Sequence, residues 1–260
     1  MSEPFLSVAI IARDEERHIG AALQSAAAIA DELVVLLDPR TADRSAEIAA
    51  QHGAVVRYHP FSSFSNQRNH ALGLCRGAWV LFLDADERLS AELVAELDQW
   101  RTEGGVNFAG YSMPRYNLYF GRALRGGGWY PDRQLRLLRR TQAHYDEARL
   151  VHELVQLDGS AGQLRQHLLH INIEHWAELH EKQRRYAIAE AQTLARADRW
   201  AKWRNLVLQP AREVWRRFVT WRGYRDGALG LALALTMGYY ELVKYVHLKA
   251  LARVRSHDRV

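Results

Sequence analysis

A single cysteine, Cys75, serves the whole chain of 260 residues. One thiol excludes an intramolecular disulfide, and Cys75 reads as a small residue packed on a helix. No G-x-G-x-x-G or G-x-x-x-x-G-K-[ST] stretch occurs, which argues against a dinucleotide fold or a P-loop. No apolar run is long enough to span a bilayer: the longest, Ala228 to Tyr240, has about thirteen residues before Glu241 and Lys244 interrupt it. The opening "MSEPFLSVAIIARDEE" lacks a basic region followed by a long apolar core and a small-residue cleavage site, so a cytosolic protein is expected. Internal repeats and low-complexity tracts are absent as well.

What is present suffices for a large core, since 48% of the residues are hydrophobic and 10% aromatic. The net charge of +5 is unevenly spread. Arg184, Arg185, Arg196, Arg199, Lys202, Arg204, Arg212, Arg216, Arg217, Arg222 and Arg225 crowd the last third, which points to an anionic partner.

Over the first half, apolar runs alternate with helical patterns. "LSVAIIA" at 6–12, "ELVVLLD" at 32–38, "AVVRYH" at 54–59 and "AWVLFLD" at 78–84 are separated by helix-like segments at 15–30, 41–53 and 63–75. Crossovers of that length permit only parallel pairing, and the unbroken apolar runs fit strands buried on both faces. A helix at 90–102, strands at "AGYSMPRYNLYF" and "RQLRLLRR", and a Gly-rich loop between them follow; from about 174 the pattern is helical.

Ligands of open parallel sheets collect beyond the carboxyl ends of the strands. Polar groups converge there: Arg13, Asp14 and Glu15 after the first run, Asp38 after the second, and Asp84, Asp86 and Glu87 after the fourth. Crowded carboxylates raise one another's pKa unless a cation compensates, and Mg²⁺ or Mn²⁺ takes one or two carboxylates together with water and phosphate oxygens. The acidic cluster therefore reads as a clamp for a metal holding a diphosphate, with Asp86 and Glu87 turned into the crevice. The plainer reading is a helix start, with Ser90 as the cap. Trp129 and Tyr130, beside Gly126-Gly127-Gly128, suit a sugar platform on a mobile loop or hydrophobic anchoring of that loop.

Together "SVAIIARDEERHI", "DELVVLLDPRTADRSAEIA", "FSNQRNHAL", "GAWVLFLDADERLS", "GGWYPDRQLRLLRR" and "VHELV" resemble family 2 glycosyltransferases of the GT-A fold, and within them the lipopolysaccharide inner-core β-glucosyltransferases. The resemblance implies that Ala12, Arg13, Glu15, Asp38, Arg68, Asn69 and Asp84 border a nucleotide sugar, and that Asp86 is the stronger metal ligand. His170 is a further metal or diphosphate ligand or an ordinary hydrogen-bonded histidine. The general base is Glu153 or its competitor Asp132, and Arg133 and Arg136 meet the diphosphate or an anionic acceptor or are merely exposed by their strand. Where the family often has Ser-Gly-Ser-Thr-Asp after the base-binding acid, this chain has "DPRTAD", stiffer at Pro39 and charged at Arg40.

The expectation is an α/β protein with a GT-A type, Rossmann-like open twisted sheet and flanking helices over residues 1–173. Residues 174–260 then form a C-terminal helical extension that lies on a membrane interface or packs on the catalytic domain. Its implied function is metal-dependent inverting transfer of a hexose, glucose from UDP-glucose, to a lipid-anchored saccharide at the cytoplasmic membrane surface, with no nucleic-acid partner. A nucleotidyltransferase lacks support because "IIARDEER" carries acids where a triphosphate loop needs glycines and bases. A non-enzymatic basic module leaves the acidic strand ends without a purpose.

Overall fold

The protein is described by a computed structural model covering residues 4–103, 108–147 and 155–257. It forms two compact units, Met1–Arg115 with Asp132–His170, and Tyr116–Pro131 with Ile171–Val260.

In the first unit the apolar runs become strands β1 (Leu6–Ala12), β2 (Glu32–Leu37), β3 (Val55–Tyr58) and β4 (Trp79–Phe82), parallel in the order β3-β2-β1-β4. Helices α1 (Ile19–Ala26), α2 (Ser45–Gln51) and α3 (Phe64–Leu74) are the crossovers. Beyond β4 come β5 (Glu87–Leu89), α4 (Ala91–Thr102), β6 (Gly110–Tyr119), β7 (Arg122–Ala123) and β8 (Arg133–Arg139). β8 adds antiparallel to β4, and the first half of β6 antiparallel to β8. β9 (Ala143–Tyr145) and β10 (Val155–Leu157) form a separate antiparallel pair, β11 (Ala161–Gln163) runs parallel to the start of β6, and β12 (Leu168–Ile173) pairs with β5. Ser63 caps α3 and Ser90 caps α4, each accepting the N–H three residues on at 3.1 Å.

Period-two alternation splits each central strand between two cores. Leu6, Val8, Ile10, Trp79, Leu81 and Leu83 pack under α1 and α4; Ala9, Val34, Leu36, Val80 and Phe82 pack under α3 and Tyr145. Cys75 belongs to the second core, where burial pushes its thiol up to about 12. One irregularity sets up the site. Leu137 pairs with Tyr111 but Leu135 with Ser112, so Arg136 is the unmatched residue of a β-bulge.

The second unit has β7 folded back on the end of β6, followed by α5 (Trp176–Arg196), α6 (Asn205–Trp215) and α7 (Gly227–His257). Tyr119, Leu124, Ile173, Leu179, Leu233 and Met237 form its core, with Trp129 against Tyr119. The Gly-rich run is packed rather than loose: a Cβ on Gly126 would collide with the Arg222 carbonyl, and one on Gly128 with the Trp221 ring. Gly127 N–H donates to the Trp221 carbonyl at 2.7 Å, and the Asp226 carboxylate accepts from the N–H groups of Arg125 (2.7 Å) and Gly126 (3.0 Å). The glycines thus allow close approach of two loops.

Helix α6 is amphipathic in the inverted sense. Val207, Leu208 and Trp215 face solvent, while Glu213 is buried and paired with Arg216 and, at 2.6 Å, with Arg217. On α7, Leu231, Leu235, Tyr239 and Val246 are exposed at helical spacing. No helix among the described residues is long and apolar enough to cross a membrane.

Trp79 is 2% exposed and touches Trp100 at 5.0 Å and Tyr111 at 5.8 Å. Trp79→Ala is expected to lower stability by about 3–5 kcal/mol in urea unfolding. Trp215→Ala, at an exposed position, should shift the same transition by less than about 0.5 kcal/mol.

Candidate active site

Strands β1, β2 and β4 end side by side, and a cavity of about 330 Å³ lies against the ends of β1 and β2. Ala12, Arg13, Glu15, Asp38, Phe61 and Phe64 are among its walls. The two phenylalanines are exposed and meet edge-on at 5.0 Å. Asp38 is buried and takes four bonds: from Arg40 N–H (2.8 Å), Nε (2.9 Å) and Nη2 (2.6 Å), and from Phe61 N–H (3.3 Å). These bonds, led by the Arg40 side chain, hold its pKa far below the usual carboxylate range.

The loop after β1 is pinned from below. Asp14, at φ 55°, accepts from Ala42 N–H at 2.8 Å, while Glu15 and Glu16 donate their N–H groups to Ser45 Oγ and Asp43, each at 2.8 Å. Glu15 is half-buried with Asp86, Asp43 and Asp84 nearby; burial first, then those three charges, raise its pKa from 4.5 to about 7.

The acids after β4 separate into two sorts. Asp84 and Glu87 are neutralised by the protein itself. Arg136, 5% exposed on its bulge, grips both Asp84 oxygens and donates to Glu87 Oε1 at 2.9 Å. Arg68 adds a bond to Asp84 at 3.1 Å and Arg115 one to Glu87 at 2.7 Å. Burial would raise the Asp84 pKa, but Arg136 and Arg68 hold it low; burial would lower that of Arg136, but Glu87 and Asp84 raise it. Glu87, expected to turn into the crevice, is 0% exposed, and Arg136 is an interior cation rather than an exposed one.

Asp86 is of the other sort. Its side chain is 38% exposed, and His170 Nε2 lies 3.2 Å from Oδ2. The pairing of β12 with β5 sets His170 opposite Glu87, which brings the imidazole to the acidic turn. Among the described residues no three His, Cys, Asp or Glu side chains are grouped to hold an ion unaided. Asp86 with His170 fits the incomplete protein shell of a divalent ion whose other positions go to water and phosphate.

The remaining expected residues are placed as follows. Asp132 is committed to Arg115 at 2.8 Å and to Gln134 at 2.7 Å. Arg133 donates to the carbonyls of Ser112 (2.9 Å) and Leu164 (2.8 Å). Asn69 uses its amide on the Tyr145 backbone and on Glu147, all at 2.8 Å, so it braces β9 rather than opening toward a ligand. Trp129 and Tyr130 belong to the second unit, where Tyr130 stacks on Tyr116 at 5.1 Å. Glu153 lies outside the described residues. The sequence reading did not single out Arg115, Phe61 or Phe64; an arginine inside the strand run "SMPRYN" was the available signal for the first.

The family model for glycosyl transferase family 2 matches residues 7–156. The lipopolysaccharide core biosynthesis glycosyltransferase LpsC of Rhizobium meliloti (strain 1021) is 27% identical over 251 residues, 90% of this chain and 88% of that protein. An uncharacterized glycosyltransferase of Rickettsia felis is 35% identical over 114 residues, 44% of this chain and 38% of that protein. Among solved structures, glucosyl-3-phosphoglycerate synthase from Mycobacterium tuberculosis, in complex with Mn²⁺, uridine diphosphate and glucosyl-3-phosphoglycerate, aligns with a TM-score of 0.46. That alignment has 16% identity and covers 76% of this chain and 82% of the other.

Arg136→Met leaves Asp84 and Glu87 without their shared partner, and should destabilise the chain by about 3–5 kcal/mol at neutral pH. Glu15 gives a pH test. Folding binds a proton between pH 4.5 and about 7, so its contribution is present at low pH and is lost as pH rises through that window. The wild-type Tm is therefore expected to fall relative to that of Glu15→Gln across it; parallel curves would remove the shift.

Proposed function

The chain belongs to glycosyl transferase family 2 and is a glycosyltransferase; we propose that it transfers a hexose with inversion, glucose from UDP-glucose, to a lipid-anchored saccharide at the cytoplasmic face of a membrane. Family membership removes the nucleotidyltransferase and binding-module readings. The observation that carries the proposal is the contrast of partners within one acidic turn: Asp84 and Glu87 are neutralised by arginines, while Asp86 faces His170.

In this reading the 330 Å³ cavity takes the nucleotide, with Phe61 and Phe64 as apolar walls for the base and Arg13, Glu15 and Asp38 bordering it. Arg68 and Asp84 fix the floor, and Asn69 braces β9. Asp86 and His170 would hold Mg²⁺ or Mn²⁺, which when bound neutralises charge on the departing diphosphate. The acceptor hydroxyl attacks the anomeric carbon from the face opposite the diphosphate; its proton passes to a carboxylate as the bond from that carbon to the phosphate oxygen breaks. Because Asp132 is committed to Arg115 and Gln134, we assign that proton to Glu153.

The similarity to LpsC supports a saccharide of the lipopolysaccharide core as acceptor. The outward apolar face of α6 supports peripheral attachment. Val207, Leu208 and Trp215 are exposed beside Lys202, Arg204 and Arg212, an arrangement suited to an anionic lipid surface. The exposed stripe of α7 adds Leu231, Leu235 and Tyr239.

Thermal shift tests the donor and the ion together. UDP with Mn²⁺ is expected to raise Tm more than other nucleoside diphosphates do, and Asp86→Asn should abolish the Mn²⁺-dependent part while remaining folded. Glu153→Gln is expected to reduce kcat by about 10²–10⁴-fold with UDP binding intact. Full transfer activity in Asp86→Asn would overturn the metal assignment.

A further inference from the structure

Two adjoining cavities of the second unit, about 460 and 510 Å³, share Arg125, Tyr130 and Arg225 as walls. Trp221 and Arg222 are further walls of the first and Tyr116 of the second, and among the described residues no carboxylate lines either. Another cavity of the same unit makes the contrast. There the cations face acids, Lys244 pairing with Glu190 at 3.1 Å and with Glu241 at 2.6 Å, and Arg217 with Glu213 at 2.6 Å. That cavity is balanced internally, whereas the Arg125–Arg222–Arg225 cleft has cationic walls and nothing anionic lining it.

The cleft is also built rather than draped. Asp226 fixes the backbone of Arg125 and Gly126, and Gly127 is tied to the Trp221 carbonyl. The Trp221 ring lies beneath the guanidinium of Arg216 at 4.5 Å and near that of Arg217 at 5.5 Å, and Tyr130 is stacked on Tyr116. Arg222 is held at φ 57°, a left-handed conformation that a non-glycine side chain adopts at some energetic cost, and such strain gathers at ligand sites. Guanidinium forks match phosphate oxygens two at a time, and aromatic faces pack against the C–H faces of sugar rings. A neutral sugar needs no triple cation, and a bare anion needs no aromatic walls.

We propose that this cleft binds a phosphorylated saccharide, with Arg125, Arg222 and Arg225 on the phosphate and Tyr130 and Trp221 on the ring. That this ligand is the acceptor rests on the function proposed above; the cleft itself rests on the second unit alone.

Isothermal titration of the full chain with glucose 6-phosphate, glucose and inorganic phosphate tests it, alongside UDP with Mn²⁺ as a separate titrant. Glucose 6-phosphate is expected to bind about tenfold or more tighter than either fragment, and Arg222→Gln/Arg225→Gln to lose about tenfold or more of that affinity, the scale of one charge-assisted hydrogen bond. UDP binding should be unchanged in the double variant, which also reports that it is folded. Should that variant fail to fold, Tyr130→Ala serves instead and is expected to weaken glucose 6-phosphate but not inorganic phosphate. Equal affinity for glucose 6-phosphate and either fragment, or an unaffected double variant, would overturn the proposal. So would binding to phosphatidylglycerol vesicles that the double variant loses while wild type ignores glucose 6-phosphate, since the arginines would then serve lipid headgroups. If glucose 6-phosphate behaves as expected but UDP binds neither protein, the donor assignment fails and the cleft stands.

Discussion

The carboxyl edge of the sheet depends on one guanidinium. Arg136 sits on a one-residue bulge in β8, and from there it reaches both oxygens of Asp84 and one of Glu87. Removing such a group from water is expensive, and a buried ion pair adds little net stability over an apolar pair of the same shape. Its effect is positional. With Arg68 and Arg115 completing the cluster, two of the three acids after β4 are held by guanidinium groups, and the third, Asp86, faces His170. Like charges can therefore follow one another in "DADE" without spreading the turn apart.

Much of the first unit was legible in the sequence because its strands are buried on both faces. Uninterrupted apolar runs such as "WVLF" and "LVVLL" have few alternatives in a chain of this length, and Ser90 announced its helix. The first helix was expected over 15–30 and spans Ile19–Ala26. Residues just before it are drawn into a loop whose N–H groups bind Ser45 and Asp43, contacts that no local pattern encodes. The inward turn of Arg136 was hidden for a related reason. Flanked by leucines, it looks like the polar beat of an alternating strand, and only the pairing register with β6 shows the extra residue. The glycine run was ambiguous for a different reason, since glycine allows either freedom or close approach and only the neighbours show the contacts made.

In the second unit, polarity is distributed in the opposite way to that of a water-facing helix pair. The buried Glu213 is held by arginines from the following turn, while tryptophan, valine and leucine look outward from α6. An apolar stripe in water is a liability unless something covers it. The rest of α6 packs closely on α7, where Gly238 lets the Pro210–Val214 turn approach.

Asp38 offers a last consequence. Its two oxygens already accept four donors, so the carboxylate has its full complement before any ligand arrives. Any donor that reaches this acid must displace one of these bonds instead of solvent. Arg40 supplies three of the four, so the competitor is internal to the chain.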